Sequence, residues 1–285
     1  MFSSAASLVR SADKIGSPPE VFSRLQRVLG RGDYNNSELA DIVAADVGLT
    51  VRLLCVANSS YFGFQRKINS VEEAIGAIGV NHLRELVTAT AVIGRFGTIP
   101  GEMLSMDAFW RHSVAVGLAA RILAAARKEL NLENYFIAGV LHDVGRLVMA
   151  LKMPEPYRKV LERCRESGEM LHLVERDVFG FDHADVGEAL LKQWHLAPVL
   201  AEGVGGHHQP HKADRHPLCA ALVHLGDVLA HAMELGGSGE RFVPKVSVVA
   251  WAQFGLPPAS LPNVMDQLDV QYRQMVTRIV SGTTE

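Results

Sequence analysis

Apolar residues along this chain recur at helical spacing, and strand-like alternation is scarce. Val21, Leu25, Val28 and Leu29 trace one helical stripe behind Pro18 and Pro19, which suit a first helical turn. Asn36 or Ser37 can cap a helix carrying Leu39, Ile42 and Val43, expected to stop near Gly48. Ser70-Val71-Glu72-Glu73 reads as a capping box ahead of Ile75 and Ile78. Farther on, Asp107 is placed to cap a helix holding His112, Asn134 one holding His142, and Asp182 one holding His183. Ser247 to Phe254 and Leu261 to Ile279 read as two more helices. The pattern predicts an all-α fold in which a helical N-terminal subdomain packs on a helical bundle. The expected division is 1–101, 102–235 and a C-terminal helical extension over 236–285, with Gly236-Gly237-Ser238-Gly239 as the clearest linker signal.

Composition narrows the class. At 285 residues and 48% hydrophobic, the chain can fill one large domain or two packed subdomains. A net charge of −3 provides no global attraction to nucleic acid or to an anionic membrane. Cys55, Cys164 and Cys219 are isolated and read as small buried hydrophobes in a reducing compartment, not as a disulfide framework. Met1 to Arg10 lacks the basic and apolar regions of a signal peptide. Val114 to Ala126, interrupted by Arg121, is too short to span a bilayer. A cytoplasmic protein without a membrane partner is expected.

Two segments were candidates for macromolecular recognition. Two short helices meet near Gly79 within Val71 to Phe96, but the second offers His82 and Arg84 beside Glu85 before turning apolar. A helix-turn-helix needs a basic recognition helix, so ordinary packing is the better reading and nucleic acid is not expected. Asn58-Ser59-Ser60-Tyr61-Phe62-Gly63 reads either as a partner patch or as a helix end.

The chemistry concentrates around Gly139-Val140-Leu141-His142-Asp143-Val144-Gly145-Arg146, where an imidazole and a carboxylate stand together inside an apolar run. A buried Asp is costly unless paired or metal-bound, and histidine is the commonest side-chain metal ligand. The pair is therefore either a metal site or a satisfied polar network. Other residues that could join it are His112, His183, the adjacent His207 and His208, and Asp227. Five imidazoles and two carboxylates suit one or two borderline transition ions, iron, manganese or zinc. In a two-ion arrangement Asp143 offers one oxygen to each ion; His112, His142 and Asp227 surround one, and His183, His207 and His208 the other. The other seven of the twelve histidines read as surface or cap residues.

The ordered set His112, His142-Asp143, His183, His207-His208, Asp227 resembles the HD phosphohydrolase superfamily. From about Ile15 to Ala230 the chain resembles one branch of it, the HDOD (HD-related output domain) proteins. The segments that carry this are Gly16-Ser17-Pro18-Pro19-Glu20-Val21, Leu39-Ala40-Asp41-Ile42-Val43, Asp46-Val47-Gly48-Leu49-Thr50, Ala57-Asn58-Ser59-Ser60-Tyr61-Phe62-Gly63 and Ile68-Asn69-Ser70-Val71. Trp110-Arg111-His112-Ser113, Phe179-Gly180-Phe181-Asp182-His183-Ala184-Asp185-Val186-Gly187 and His207-His208 follow in order.

The resemblance implies an all-helical bacterial signalling module whose 102–235 segment is HD-like. It acts through a regulatory protein partner or a nucleotide or phosphoester ligand, and here it retains the metal-ligand set. The cyclic-di-GMP phosphodiesterase branch carries a Gly-Tyr-Pro motif after the paired histidines, whereas this chain has Gln209-Pro210-His211. That branch also has a Lys where this chain has Arg146, a planar fork with fixed charge. Two readings follow: a non-catalytic module, which these departures favour, and a metal-dependent phosphohydrolase acting on a nucleotide or other phosphoester. In the second, Asp143 and Arg146 would be catalytic.

Overall fold

A computed structural model describes residues 2–12, 20–45, 49–50, 53–54, 57–58, 66, 68–80, 83–84, 87, 99–101, 103–240 and 242–279. The described residues form helices and turns, with no strand among them. No described helix is long and apolar enough to cross a membrane. The Pro18-Pro19 start, the stop at Gly48, Cys55, Ser59 to Gly63, His82 and most of the segment after Gly79 lie outside the described residues.

The helices run in the order α1 (Ala5–Arg10), α2 (Glu20–Arg31), α3 (Asn36–Ala44), α4 (Val71–Ile78), α5 (Met106–Ala126), α6 (Leu132–Leu141) and α7 (Val144–Lys152). They continue as α8 (Pro154–Ser167), α9 (Leu171–Phe179), α10 (His183–Gln193), α11 (Pro198–Gly205), α12 (Pro217–Ala232), α13 (Val248–Phe254) and α14 (Leu261–Ile279).

Residue contacts divide the chain into two compact units, Met1–Ser17 with Thr98–Leu268, and Pro18–Gly97 with Asp269–Glu285. This division differs from the breaks expected at 101 and 235. Helix α1 joins the larger unit because Leu8 and Val9, both 0% exposed, give it an apolar face that packs on α10. The segment read as a linker is a packed turn of the same unit. Gly236 has φ +75, and a Cβ there would overlap the backbone of His112. In the smaller unit α3 packs against both α2 and α4. Asn58, first residue of the expected polar patch, turns inward: its Nδ2 donates to the carbonyls of Leu54 (2.9 Å) and Ile68 (2.7 Å).

Capping residues mostly fall one to three positions from those expected. Asn35 caps α3 and Ser105 caps α5, while Asp107 accepts an ion pair from Arg111 at 2.7 Å. The N-cap of α6 is Asn131, in a left-handed conformation, not Asn134. Ser70 and Asp182 cap α4 and α10 as read from sequence. At Ser70 the return bond of the capping box is displaced: Glu73 accepts from the Asn69 N–H at 2.9 Å.

The core of the larger unit is built on α5, which α6 and α12 both flank. Small residues set the approach. A Cβ on Gly139 would lie 2.6 Å from Gly117 Cα, so α5 and α6 touch backbone to backbone. At Gly145, α7 meets α10 so closely that a Cβ would overlap the His183 carbonyl oxygen and lie 2.8 Å from Gly187 N. These contacts place His112, His142 and His183 around one point.

Candidate metal centre

His142 and Asp143 do not lie inside a continuous helix, as the apolar periodicity implied. Helix α6 ends at Leu141 and α7 begins at Val144, and the pair occupies the break. Asp143 has φ −98 and ψ 5, sparsely populated bridge-region values. The break turns both side chains into the core, where His142 is 1% and Asp143 4% exposed.

The other candidate ligands arrive from four places. His112 projects from α5, His183 is the first residue of α10, His207 and His208 follow the end of α11, and Asp227 lies in α12. Asp143 Oδ1 stands 3.1 Å from His183 Nε2, 3.6 Å from His142 Nε2 and 3.9 Å from His207 Nε2. Asp227 Oδ1 stands 3.1 Å from His112 Nε2 and 3.8 Å from His142 Nε2. His208 Nε2 lies 2.8 Å from His183 Nε2. All seven residues named from sequence thus meet in one cluster, buried except at half-buried His208.

One detail departs from expectation. Asp143 does not offer an oxygen to each side, because Oδ2 accepts from Arg146 Nη1 at 2.8 Å. Only Oδ1 faces the imidazoles. Arg146 is itself 2% exposed, which a guanidinium tolerates only when paired.

Three imidazoles use Nδ1 on an acceptor. His142 donates to Gly139 O at 2.7 Å, His207 to Val204 O at 2.6 Å, and His183 to Glu175 Oε2 at 2.6 Å. A ring held this way presents Nε2 as its metal-facing atom, the arrangement of histidine ligands with an outer-shell acceptor. His207 Nε2 is buried and has no hydrogen-bond partner. Three donor sets, His183 with His207 and His208, His112 with Asp227 and His231, and His112 with His142 and Asp143, each have ligand atoms within 4.8 Å of one another and could hold a metal ion.

The electrostatics follow from burial and charge pairing. Burial alone would raise the Asp143 carboxyl, but His142, Arg146 and His183 hold it well below the usual carboxylate range. Burial opposes protonation of His183, yet Glu175 and Asp143 on its two sides raise its pKa well above the ordinary imidazole value. Desolvation, reinforced by His142 and His183, lowers His207 to about 3. Desolvation likewise holds His208 well below the imidazole range.

Three histidines read as surface or cap residues belong to this region instead. His231 Nδ1 is 2.9 Å from Asp227 O and 3.0 Å from Asp227 Oδ1, and its Nε2 is 2.7 Å from Ser238 Oγ. His224 donates from Nδ1 to His207 O at 2.8 Å and accepts at Nε2 from the Ser247 N–H at 3.0 Å. His172 stacks on His208 with ring centroids 4.0 Å apart. Asp227 and His231 are four apart on α12, a spacing visible in sequence as a shared helix face. His224 lies on the same face, whereas no sequence signal ties His172 or Glu175 to the cluster.

Comparison with known proteins places the chain. An uncharacterized protein of Treponema pallidum (strain Nichols) is 26% identical over 221 residues, covering 76% of this chain but 42% of that one, so this chain spans under half of that relative. A crystal structure from Shewanella amazonensis SB2B, provisionally designated a phosphohydrolase, matches with TM-score 0.77 at 23% identity over 97% of this chain and 98% of that one. An HDOD domain protein with unknown function from Geobacter sulfurreducens matches with TM-score 0.71 at 25% identity, covering 93% and 97% of the two chains. The HDOD domain model matches residues 15–210, well over half of the sequence and from the opening segments through the paired histidines, and the chain belongs to the HDOD family.

Proposed function

We propose that this chain is an HDOD regulatory module built around a metal-bound core. One or two transition ions, iron, manganese or zinc, are held by His112, His142, Asp143, His183, His207, His208 and Asp227. Output passes through a regulatory protein partner, in the cytoplasm, without phosphoester turnover. The observation that carries this reading is the convergence of Nε2 atoms on Asp143 Oδ1, among them the buried and unpartnered His207 Nε2. Imidazoles with Nδ1 on an acceptor and Nε2 turned inward fit a borderline divalent ion. When bound, such an ion would supply positive charge where two carboxylates and several imidazole lone pairs meet.

The chain's own residues favour a structural or sensing role. Six of the seven candidate ligands are at most 4% exposed, which leaves a phosphoester little approach except past His208 and His172. Arg146 is used in pairing with Asp143. A second reading, a metal-dependent phosphohydrolase acting on a nucleotide or other phosphoester, is favoured by the way Asp143 Oδ1 lies between imidazoles of both halves of the cluster. In that reading Asp143 and Arg146 are the catalytic pair.

The deciding experiment is metal analysis of protein purified without chelator and without a nickel tag, followed by reconstitution with iron, manganese and zinc. One or two equivalents are expected in the wild type, lost in His142→Ala and Asp143→Ala. Protein that stays metal-free after reconstitution refutes the reading.

A further inference from the structure

Glu175 lies on α9, eight residues before His183, and is 0% exposed. Its Oε2 accepts two bonds from the same residue: the His183 backbone N–H at 2.9 Å and the His183 ring Nδ1 at 2.6 Å. Its Oε1 accepts from the Tyr157 hydroxyl at 3.0 Å. Tyr157, on α8, is 2% exposed. His183 opens α10, so its N–H is one of the donors a helix leaves unpaired at its N-terminus. One carboxylate oxygen therefore fixes both the start of the helix and the plane of the ring that projects from it.

We propose that Glu175, steadied by Tyr157, is the positioning residue of the candidate metal centre, holding the proton of His183 at Nδ1 and aiming Nε2 at the site. This rests on the metal-bound reading above. A ring that binds an ion through Nε2 must keep its proton on Nδ1, and the acceptor there sets both orientation and donor strength. His142 and His207 use backbone carbonyls for this task; His183 uses a carboxylate. The carboxylate makes His183 the most basic donor of the three. The arrangement also forms a continuous polar chain. Asp143 Oδ1 meets His183 Nε2 at 3.1 Å, His183 meets Glu175, Glu175 meets Tyr157, and Asp143 Oδ2 meets Arg146 at 2.8 Å. The positive charge of Arg146 also acts on the Tyr157 hydroxyl, opposing the rise that burial and Glu175 impose on it.

The test uses the full chain, Co²⁺ as the probe ion, and the variants Glu175→Ala, Glu175→Gln and Tyr157→Phe. Three readouts apply: Co²⁺ affinity by titration, the visible spectrum of the bound ion, and the ring ¹⁵N signals of His183 in metal-free protein. Glu175→Ala is expected to weaken Co²⁺ binding about 10–100-fold, the range for removing an outer-shell partner of a histidine ligand. It is also expected to alter the spectrum and shift the His183 ring signals. Glu175→Gln keeps an oxygen that can accept from Nδ1 and should recover most of the affinity. Tyr157→Phe should lose affinity in the same direction by a smaller factor.

If folded Glu175→Ala matches wild type in affinity, spectrum and ring signals, the proposal is overturned. If Glu175→Ala does not fold, Tyr157→Phe decides, and wild-type values in it overturn the proposal. A wild-type protein that takes up no Co²⁺ refutes the metal-bound reading. The His183 ring signals then still judge the positioning claim: a shift on substitution supports it and unchanged signals overturn it.

Discussion

Substituting Asp143 by alanine removes the carboxylate that holds Arg146 on one oxygen and faces the imidazoles with the other. In the native chain Oδ2 accepts from Arg146 at 2.8 Å and Oδ1 lies 3.1 Å from His183. Arg146 is 2% exposed, and its Nε has no hydrogen-bond partner. Loss of the carboxylate leaves a guanidinium in the core with its closest counter-charge gone. Removing one partner of a buried ion pair costs about 3–5 kcal/mol. An exposed pair such as Arg158–Glu162, with side chains 46% and 47% exposed, contributes about 0.3–0.5 kcal/mol as a helical i,i+4 pair and provides the control.

The larger unit can be followed alone, because Trp110, Trp194 and Trp251 all lie within it. Urea denaturation by tryptophan fluorescence, with chelator present so that bound metal makes no contribution, should show Asp143→Ala down by that amount. Glu162→Ala should stay within about 0.5 kcal/mol of the parent. Converting the pair together, Asp143→Ala with Arg146→Met, should recover part of the loss, since replacing a whole buried pair by apolar groups is often neutral. A midpoint for Asp143→Ala equal to the parent would refute the reasoning. A double variant no more stable than Asp143→Ala would show that the orphaned Arg146 is not the source of the cost.

Two other predictions bear on geometry and activity. Gly145→Ala forces a methyl group into the His183 carbonyl, so α7 and α10 must separate. Overpacking of this kind costs about 1–3 kcal/mol, and here backbone must move, so the upper end of that range is expected in the same urea titration, together with loss of bound metal. Wild-type stability and metal content in Gly145→Ala would contradict the packing described. Iron- or manganese-loaded protein should give no product from cyclic-di-GMP beyond the Asp143→Ala control. Robust turnover that vanishes in that control would establish the phosphohydrolase reading instead.

The candidate site was legible in sequence where chemistry and local order coincide. A His-Asp pair among apolar residues cannot be left unsatisfied, and five further ligand-type residues stand around it in a set order, His112 before it and four after. The all-α fold was legible from periodicity alone. Less accessible were features set by long-range approach. Glu175 stands in an amphipathic helix where a charged residue reads as solvated surface, and only the packing of α9 on α8 and α10 turns it inward. Gly236-Gly237-Ser238-Gly239 has linker composition, yet its turn lies on the His112 backbone and offers Ser238 to His231. Apolar periodicity runs through His142 and Asp143 without marking the break, because Leu141 and Val144 continue the same buried face.

The hydrogen bond between His112 and Asp227 joins residues 115 positions apart. Closing so long a loop is slow and entropically costly, and the contact has no reward until the intervening helices have docked. A sequence separation of that size predicts that the cluster forms late in folding, after the helices that carry it have docked. An ion that recognises it distinguishes the finished molecule from its precursors and acts on the rate of coming apart far more than on the rate of coming together. Metal supply would then govern how long each copy persists, an influence on abundance that requires no change of shape in the native state.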